Sequence, residues 1–186
     1  MRKLAAVAVR SARVDDAEAI AGLHVRGWQQ AYAGIVPADV LAQLDPVAWA
    51  ERRRRAIETQ RSTMLVATEM GTGVVAGFAE AGPARRGQDW NDMHPVEGEV
   101  YAIYVDPPYW GAGAGRALMN ATVAALGAAG RRPVRLWVLD ANDRARRFYE
   151  RYGFVLDGER SSYPVERPDG STVLLDEVRY VLHPAV

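Results

Sequence analysis

The stretch Tyr101–Met119, YAIYVDPPYWGAGAGRALM, constrains this chain more than any other. A short apolar run reads as a strand, and Pro107 and Pro108 stop it, because proline lacks the N–H that a sheet requires. Gly111, Gly113 and Gly115 then alternate with Ala112 and Ala114, and a helix-forming sequence follows at once. A strand, a glycine loop and a helix N-terminus in that order form a cradle for an anion. Glycines let the backbone approach a ligand closely. The unpaired N–H groups of the first helical turn point at it, and the helix dipole adds positive potential. A phosphate-bearing ligand is therefore expected at this loop.

The length of 186 residues fits one domain over residues 1–186, long enough to bury a core. Twenty-three basic residues balance 23 acidic ones, so no overall field draws the chain to nucleic acid or to an anionic membrane. The densest basic run, Arg52–Arg55, reads as a solvated helix face. The absence of cysteine excludes disulfides, thiolate zinc sites and cysteine nucleophiles. No two histidines have metal-ligand spacing, so no metal is expected. The apolar part of MRKLAAVAVRSARVDD is too short for a signal peptide and reads as a first strand. No apolar segment is long enough to span a bilayer. A soluble, cytoplasmic protein is expected.

Val7–Val14 is the expected opening strand, and Asp15 with Glu18 a capping box that starts a helix near Asp16. That helix carries Ile20, Leu23, His24, Gly27 and Ala31 on one face and ends near Ala33. Pro37 and Pro46 each suit the first turn of a further short helix, the second reaching about Thr59. Thr63–Thr68 and Val74–Glu80 read as a hairpin around Glu69–Gly73. Gly82–Glu97 is polar and carries Pro83, Gly87 and Pro95, which predicts a long functional or mobile loop. A strand over Glu99–Val105, a helix over Gly113–Ala129 stopped by Gly130 and a strand over Val134–Leu139 follow. A helix over Asn142–Tyr152, a strand from Phe154, a turn at Arg167–Gly170 and a strand over Val173–Leu182 complete the chain. The order is β-α-α-β-β-β-α-β-α-β-β, with antiparallel early strands and one parallel crossover through the glycine-loop helix.

Two familiar phosphate loops fail the details. A Walker-type loop ends Gly-Lys-Ser/Thr, whereas this one ends Gly115-Arg116-Ala117. A dinucleotide fingerprint G-x-G-x-x-G finds Gly111 and Gly113, but Arg116 holds its third glycine position. Asp106–Trp110 also separate strand from loop where the fingerprint allows almost nothing. The region instead resembles the GCN5-related N-acetyltransferase family, whose signature Q/R-x-x-G-x-G/A opens the long central helix. Trp110-Gly111-Ala112-Gly113-Ala114-Gly115 occupies that signature, with Trp110 in place of the leading Gln/Arg. Tyr104-Val105-Asp106-Pro107 is similar to the family's strand end, and Asn142 with Arg146–Phe154, RRFYERYGF, to its late N…A-x-x-F-Y-x-x-x-G-F block. The resemblance implies an α/β (mixed α+β) acyl-CoA N-acyltransferase-like fold. Its sheet is mostly antiparallel and twisted, with a central splayed parallel strand pair and helices on both faces. It also implies acetyl-CoA as cofactor and a primary amine on a small molecule or peptide as acceptor. Homodimers are frequent in the family.

Acetyl-CoA carries an activated acyl group, so a neutral amine can attack the thioester directly and no protein nucleophile is required. What remains is to bind the cofactor, take a proton from the ammonium, stabilise the oxyanion and protonate the departing thiolate. The resemblance implies that the amides from Gly111 through Ala112, Gly113, Ala114 and Gly115 to Arg116 hold the pyrophosphate, with the Arg116 charge nearby. It places the pantetheine arm along Ile103, Tyr104 and Val105, gives the oxyanion an amide near Val105, and adds Asn142 to the cofactor site. Tyr149, in the same site, is the expected acid, since a phenol with a pKa of about 10 keeps its proton at neutral pH. Glu99 is the candidate base, because strand alternation sets it on the face of Tyr101, Ile103 and Val105. Water fills that role elsewhere in the family, and His94 is a rival in the polar loop. His24 reads as a packed core residue. Trp28 and Tyr32, one helical turn apart, are the expected wall of the acceptor site, with Trp90 placed to cover it. The alternatives from other classes are an acyl-CoA-holding module without turnover and a dinucleotide-dependent oxidoreductase.

Overall fold

The computed structural model describes residues 6–87 and 89–184. Strand β1 (Val7–Ser11) ends before the expected Val14, because Val14–Asp16 coil into a 3₁₀ turn. The Asp16 carboxylate organises that turn: it accepts from the Arg13 amide at 2.7 Å and grips the Arg10 guanidinium at 2.7 and 2.8 Å. Asp16, rather than the expected pair Asp15 and Glu18, thus reaches back across the helix start. Helix α1 (Ala17–Ala31) buries Ile20, Leu23, His24 and Gly27, four of the five residues on the predicted stripe. Helix α2 (Ala38–Ala42) follows Pro37, its N-cap, and α3 (Pro46–Thr59) opens on Pro46, so all three helices read from the residues form before the next strand, one more than the expected β-α-α-β order held. The Asp45 side chain caps α3 by accepting from Val47 N at 2.8 Å.

The remaining strands and α-helices are β2 (Thr63–Glu69), β3 (Val75–Arg86), β4 (Asp89–Val105), α4 (Ala114–Ala128), β5 (Val134–Leu139), α5 (Asp143–Tyr152), β6 (Val155–Glu166) and β7 (Thr172–Leu182). The strands form one sheet in the order β1-β2-β3-β4-β5-β7-β6. Every neighbouring pair is antiparallel except β4–β5, the crossover through α4. The sheet therefore has the mixed architecture that the sequence implied. Among the described residues no helix is long and apolar enough to cross a membrane.

Gly82–Glu97 is not a loop. It continues β3 and β4 as a long hairpin, with register shifts around Pro83 and Arg85. Much of this extension is exposed, so it lacks the apolar alternation by which a half-buried strand is recognised.

Two irregularities in β4 position the site. Glu80 pairs with Ala102 and Ala81 with Val100, so Tyr101 is the extra residue of a bulge. Val100, Ile103 and Val105 consequently pack on the α4 side with Leu118 and Met119, while Ala102 and Tyr104 pack with Ile20, Leu23 and Phe78. Second, β4 pairs with β5 only over Gly98–Val100 against Val134–Leu136. Beyond Val100 the two strands part.

Candidate active site

The parting of β4 and β5 opens a cavity of about 880 Å³ with two distinct ends. The glycine loop forms one. Gly111 and Gly113 hold φ of 78° and 87°, which side-chain-bearing residues rarely adopt, and no atom lies within 4 Å of where a Cβ would stand on either. Gly113 is the N-cap of α4 and supplies no side-chain cap; the first closed helical bond runs from Ala117 N to Gly113 O at 3.0 Å. The amides of Gly113, Ala114, Gly115 and Arg116 therefore lack intrahelical partners. The Ala112 amide differs: it donates to the Tyr109 carbonyl at 3.2 Å. Open space over two left-handed glycines beside uncapped amides fits a polyphosphate. The β5-facing edge of β4 at Ile103–Val105, left without a partner strand, fits an extended arm with its own amides.

Residues from α5 close this end. Asn142 Oδ1 accepts from Ala145 N at 3.1 Å and caps the helix. That fixes Tyr149 two turns later, with its ring against Phe148, Phe154 and Tyr180. Tyr149 is buried, its side chain lines the cavity, and its hydroxyl has no hydrogen bond among the described residues. Burial, reinforced by Tyr104, holds its pKa well above the ordinary phenol value, so the proton stays on. Trp110 donates from Nε1 to the Val105 carbonyl at 2.7 Å, and the Arg144 guanidinium lies over its ring.

The other end is an aromatic recess. Trp28 of α1 and Tyr32, the residue that caps its end, meet there, joined by Tyr104 of β4. The Tyr104 hydroxyl accepts from Trp28 Nε1 at 3.0 Å and shares a 3.0 Å hydrogen bond with the Tyr32 hydroxyl. Burial pushes the Tyr104 phenol up to about 12. His24 is packed as expected, yet it also lines the recess. Its Nε2 lies 3.0 Å from Trp28 Nε1 and its Nδ1 3.1 Å from Arg53 Nη2. Both ring nitrogens thus face N–H donors. Burial first, and the Arg53 charge second, hold its pKa well below the ordinary value, so the ring is neutral. Arg53 is ion-paired with Glu80, which also accepts from Ser62 Oγ at 2.8 Å.

Sequence reasoning missed Arg53, Glu80, Tyr163 and Glu177, all of which line the cavity. Arg53 belongs to a run read as a solvated face. Its signal was spacing: it sits four residues after Trp49, whose ring lies 4.3 Å from His24.

Glu99 requires a correction. Alternation put it on the face of Ile103 and Val105, but the bulge at Tyr101 inserts one residue and moves it to the other face. It is 0% exposed and does not line the cavity. Arg85 occupies both oxygens, with its amide on Oε2 at 2.9 Å and its guanidinium on Oε1. Arg85 in turn lies over the Trp90 ring at 4.5 Å and the Tyr101 ring at 5.5 Å. Trp90 does line the recess. His94 is not among the lining residues; its Nδ1 accepts from the Glu97 amide at 3.1 Å in a local turn.

Comparison with known proteins accords with this geometry. Residues 18–154 match the model of the acetyltransferase (GNAT) family. The uncharacterized N-acetyltransferase YuaI of Bacillus subtilis (strain 168) is 32% identical over 146 residues, 78% of this chain and 79% of that protein. A mycothiol acetyltransferase of Gordonia bronchialis is 43% identical over 84 residues, which are 44% of this chain and only 27% of that protein. The crystal structure of PaiA N-acetyltransferase from Thermoplasma acidophilum, in complex with coenzyme A, shares the fold with a TM-score of 0.69 at 19% identity, over 92% of this chain and 98% of that one.

Proposed function

This chain belongs to the acetyltransferase (GNAT) family, and from that premise we propose that it transfers the acetyl group of acetyl-CoA to a primary amine of a small molecule or peptide, both substrates being bound together. One observation carries the reading: a single cavity joins an uncapped glycine cradle to an aromatic recess, and Tyr149 lines it together with both. The one continuous sheet supports reading residues 1–186 as a single domain.

Bound acetyl-CoA supplies an activated thioester. The amides of Gly111 and of Gly113 through Arg116 bind its pyrophosphate, with Ala112 shaping the loop by its bond to Tyr109. Ile103, Tyr104 and Val105 offer the free edge of β4 to the pantetheine arm, an amide near Val105 facing the oxyanion. Asn142 holds α5 in place, and Tyr149 Oη carries the proton that the departing sulfur needs. Trp28 and Tyr32 wall the amine. Water in the recess takes the ammonium proton, because Glu99 is buried and fully engaged. Glu99 acts instead as a positioning residue: it holds Arg85 against Trp90 and Tyr101 in the recess wall.

Thermal stabilisation by acetyl-CoA, CoA and NAD in parallel tests the cofactor, since a ligand that binds only the folded state raises its stability. Release of free thiol across a panel of small amines, amino acids and peptides then tests the reaction. Stabilisation by acetyl-CoA and thiol release with at least one amine are expected. Stabilisation by NAD alone would sink the reading, and stabilisation without turnover on any amine would leave a binding module.

A further inference from the structure

Trp110 stands where the family motif has Gln or Arg, so the glycine end lacks one polar side chain that the motif provides. The structure fills the gap from another element. The Arg144 guanidinium, one residue into α5, packs 3.4 Å from the centre of the Trp110 ring. The indole is itself fixed by its bond to the Val105 carbonyl. A guanidinium stacked on a tethered indole is held in one place despite its exposure. Arg144 has no hydrogen bond or ion pair among the described residues; the adjacent Asp143 leans to Arg147 at 3.9 Å. Partial burial disfavours the Arg144 charge, and no protein anion offsets that. Its side chain lines the cavity with Gly111 and Gly113.

We infer that Arg144, seated on Trp110, is a phosphate-binding residue of the glycine end and supplies from α5 the polar contact that position 110 has lost. The inference rests on reading this end as the coenzyme A site. Its chemistry is that of a planar fork of donors meeting phosphate oxygens. Arg116 and Arg151 line the same cavity, but neither is stacked on a ring. Arg53 and Arg85 are stacked, but each already has a carboxylate. Among the described residues lining the cavity, Arg144 combines a fixed position with a free charge.

The test is calorimetric titration of CoA and 3′-dephospho-CoA into the wild type, Arg144→Ala, Trp110→Leu and the double variant, with melting temperatures as a folding control. Arg144→Ala should weaken CoA binding about tenfold, the scale of one lost charge-assisted contact, at an unchanged melting temperature. An equal loss with dephospho-CoA puts the guanidinium on the pyrophosphate, and a loss confined to CoA puts it on the 3′-phosphate; either supports the inference. In the Trp110→Leu background the same arginine substitution should cost less than about threefold, because the pair acts as a unit. Unchanged CoA affinity in Arg144→Ala overturns the inference, and an equal tenfold loss in both backgrounds overturns the part played by Trp110. A wild type that binds no CoA overturns the underlying reading, which separates the two failures.

Discussion

At the recess end of the cavity Arg53 is paired with Glu80 and Arg85 with Glu99, whereas at the glycine end Arg116, Arg144 and Arg151 line the same cavity with no protein anion against any of them among the described residues. Arg52, exposed at the recess rim, is the one recess arginine of the unpaired kind. The difference separates two uses of one side chain. Charges buried in a wall require partners, because an uncompensated guanidinium in low dielectric is strongly unfavourable. Charges left open at a cradle of amides are available to an anion that arrives from solution. Removing a partner at the recess should therefore damage the fold, and removing an arginine at the glycine end should damage binding alone.

The largest effect expected is at Glu99. Glu99→Gln leaves the Arg85 side chain, 12% exposed, without its counter-charge. Breaking a buried pair from one side costs about 3 kcal/mol or more, which lowers the melting temperature of a chain this size by roughly 6–12 °C. Glu99→Gln with Arg85→Met should recover most of it. Thermal denaturation decides. A normal melting temperature together with a collapsed kcat would return Glu99 to the role of base and erase the distinction between the ends.

Tyr149 comes next, where the two ends meet. Tyr149→Phe keeps the ring against Phe154 and Tyr180 and removes only the hydroxyl, so folding and CoA affinity should change little. Loss of a general acid should lower kcat about 100-fold, or roughly 2.7 kcal/mol. An unchanged kcat would remove Tyr149 from the chemistry.

A pH effect is expected from His24. Its folded pKa lies below the unfolded value near 6.5, so the unfolded chain binds more protons once the pH drops under that value. Acid therefore favours unfolding, by up to about 1.4 kcal/mol per pH unit, until the folded pKa is reached. Urea midpoints between pH 7 and 5 should fall for the wild type and fall less steeply for His24→Gln. Parallel slopes would mean that the recess tolerates an imidazolium beside Arg53.

These effects also show what a linear reading of the chain reaches. The glycine cradle, the Asn142 cap and the Gly130 and Gly153 stops depend on residues within a turn of one another, and each forms as local chemistry dictates. The face expected for Glu99 was wrong because it depends on a bulge at Tyr101 that exists only through pairing with Glu80 and Ala81 of another strand. The polar hairpin around Trp90 carries no apolar period to betray it. Arg53 looked solvated because its partner, Glu80, lies 27 residues away on β3. The donor end was legible because it is built largely of backbone and local sequence. The recess was legible in Trp28 and Tyr32, four residues apart in sequence, and in Trp90, but not in the charged pairs of its wall.

The smallest effect gives the sharpest contrast, because it should have opposite signs in two measurements. Arg116 lies in the first turn of α4, exposed and without a protein anion among the described residues. A cation there opposes the positive end of the helix dipole. The fold gains nothing from the charge, so Arg116→Gln should raise the melting temperature by about one degree. The same substitution should weaken CoA binding about threefold, and less at high salt, because an exposed charge is screened. At the recess, Glu99→Gln lowers stability at any salt concentration. If Arg116→Gln instead lowered the melting temperature, this arginine would belong with Arg53 and Arg85, and the division of the cavity into a folding end and a binding end would not hold.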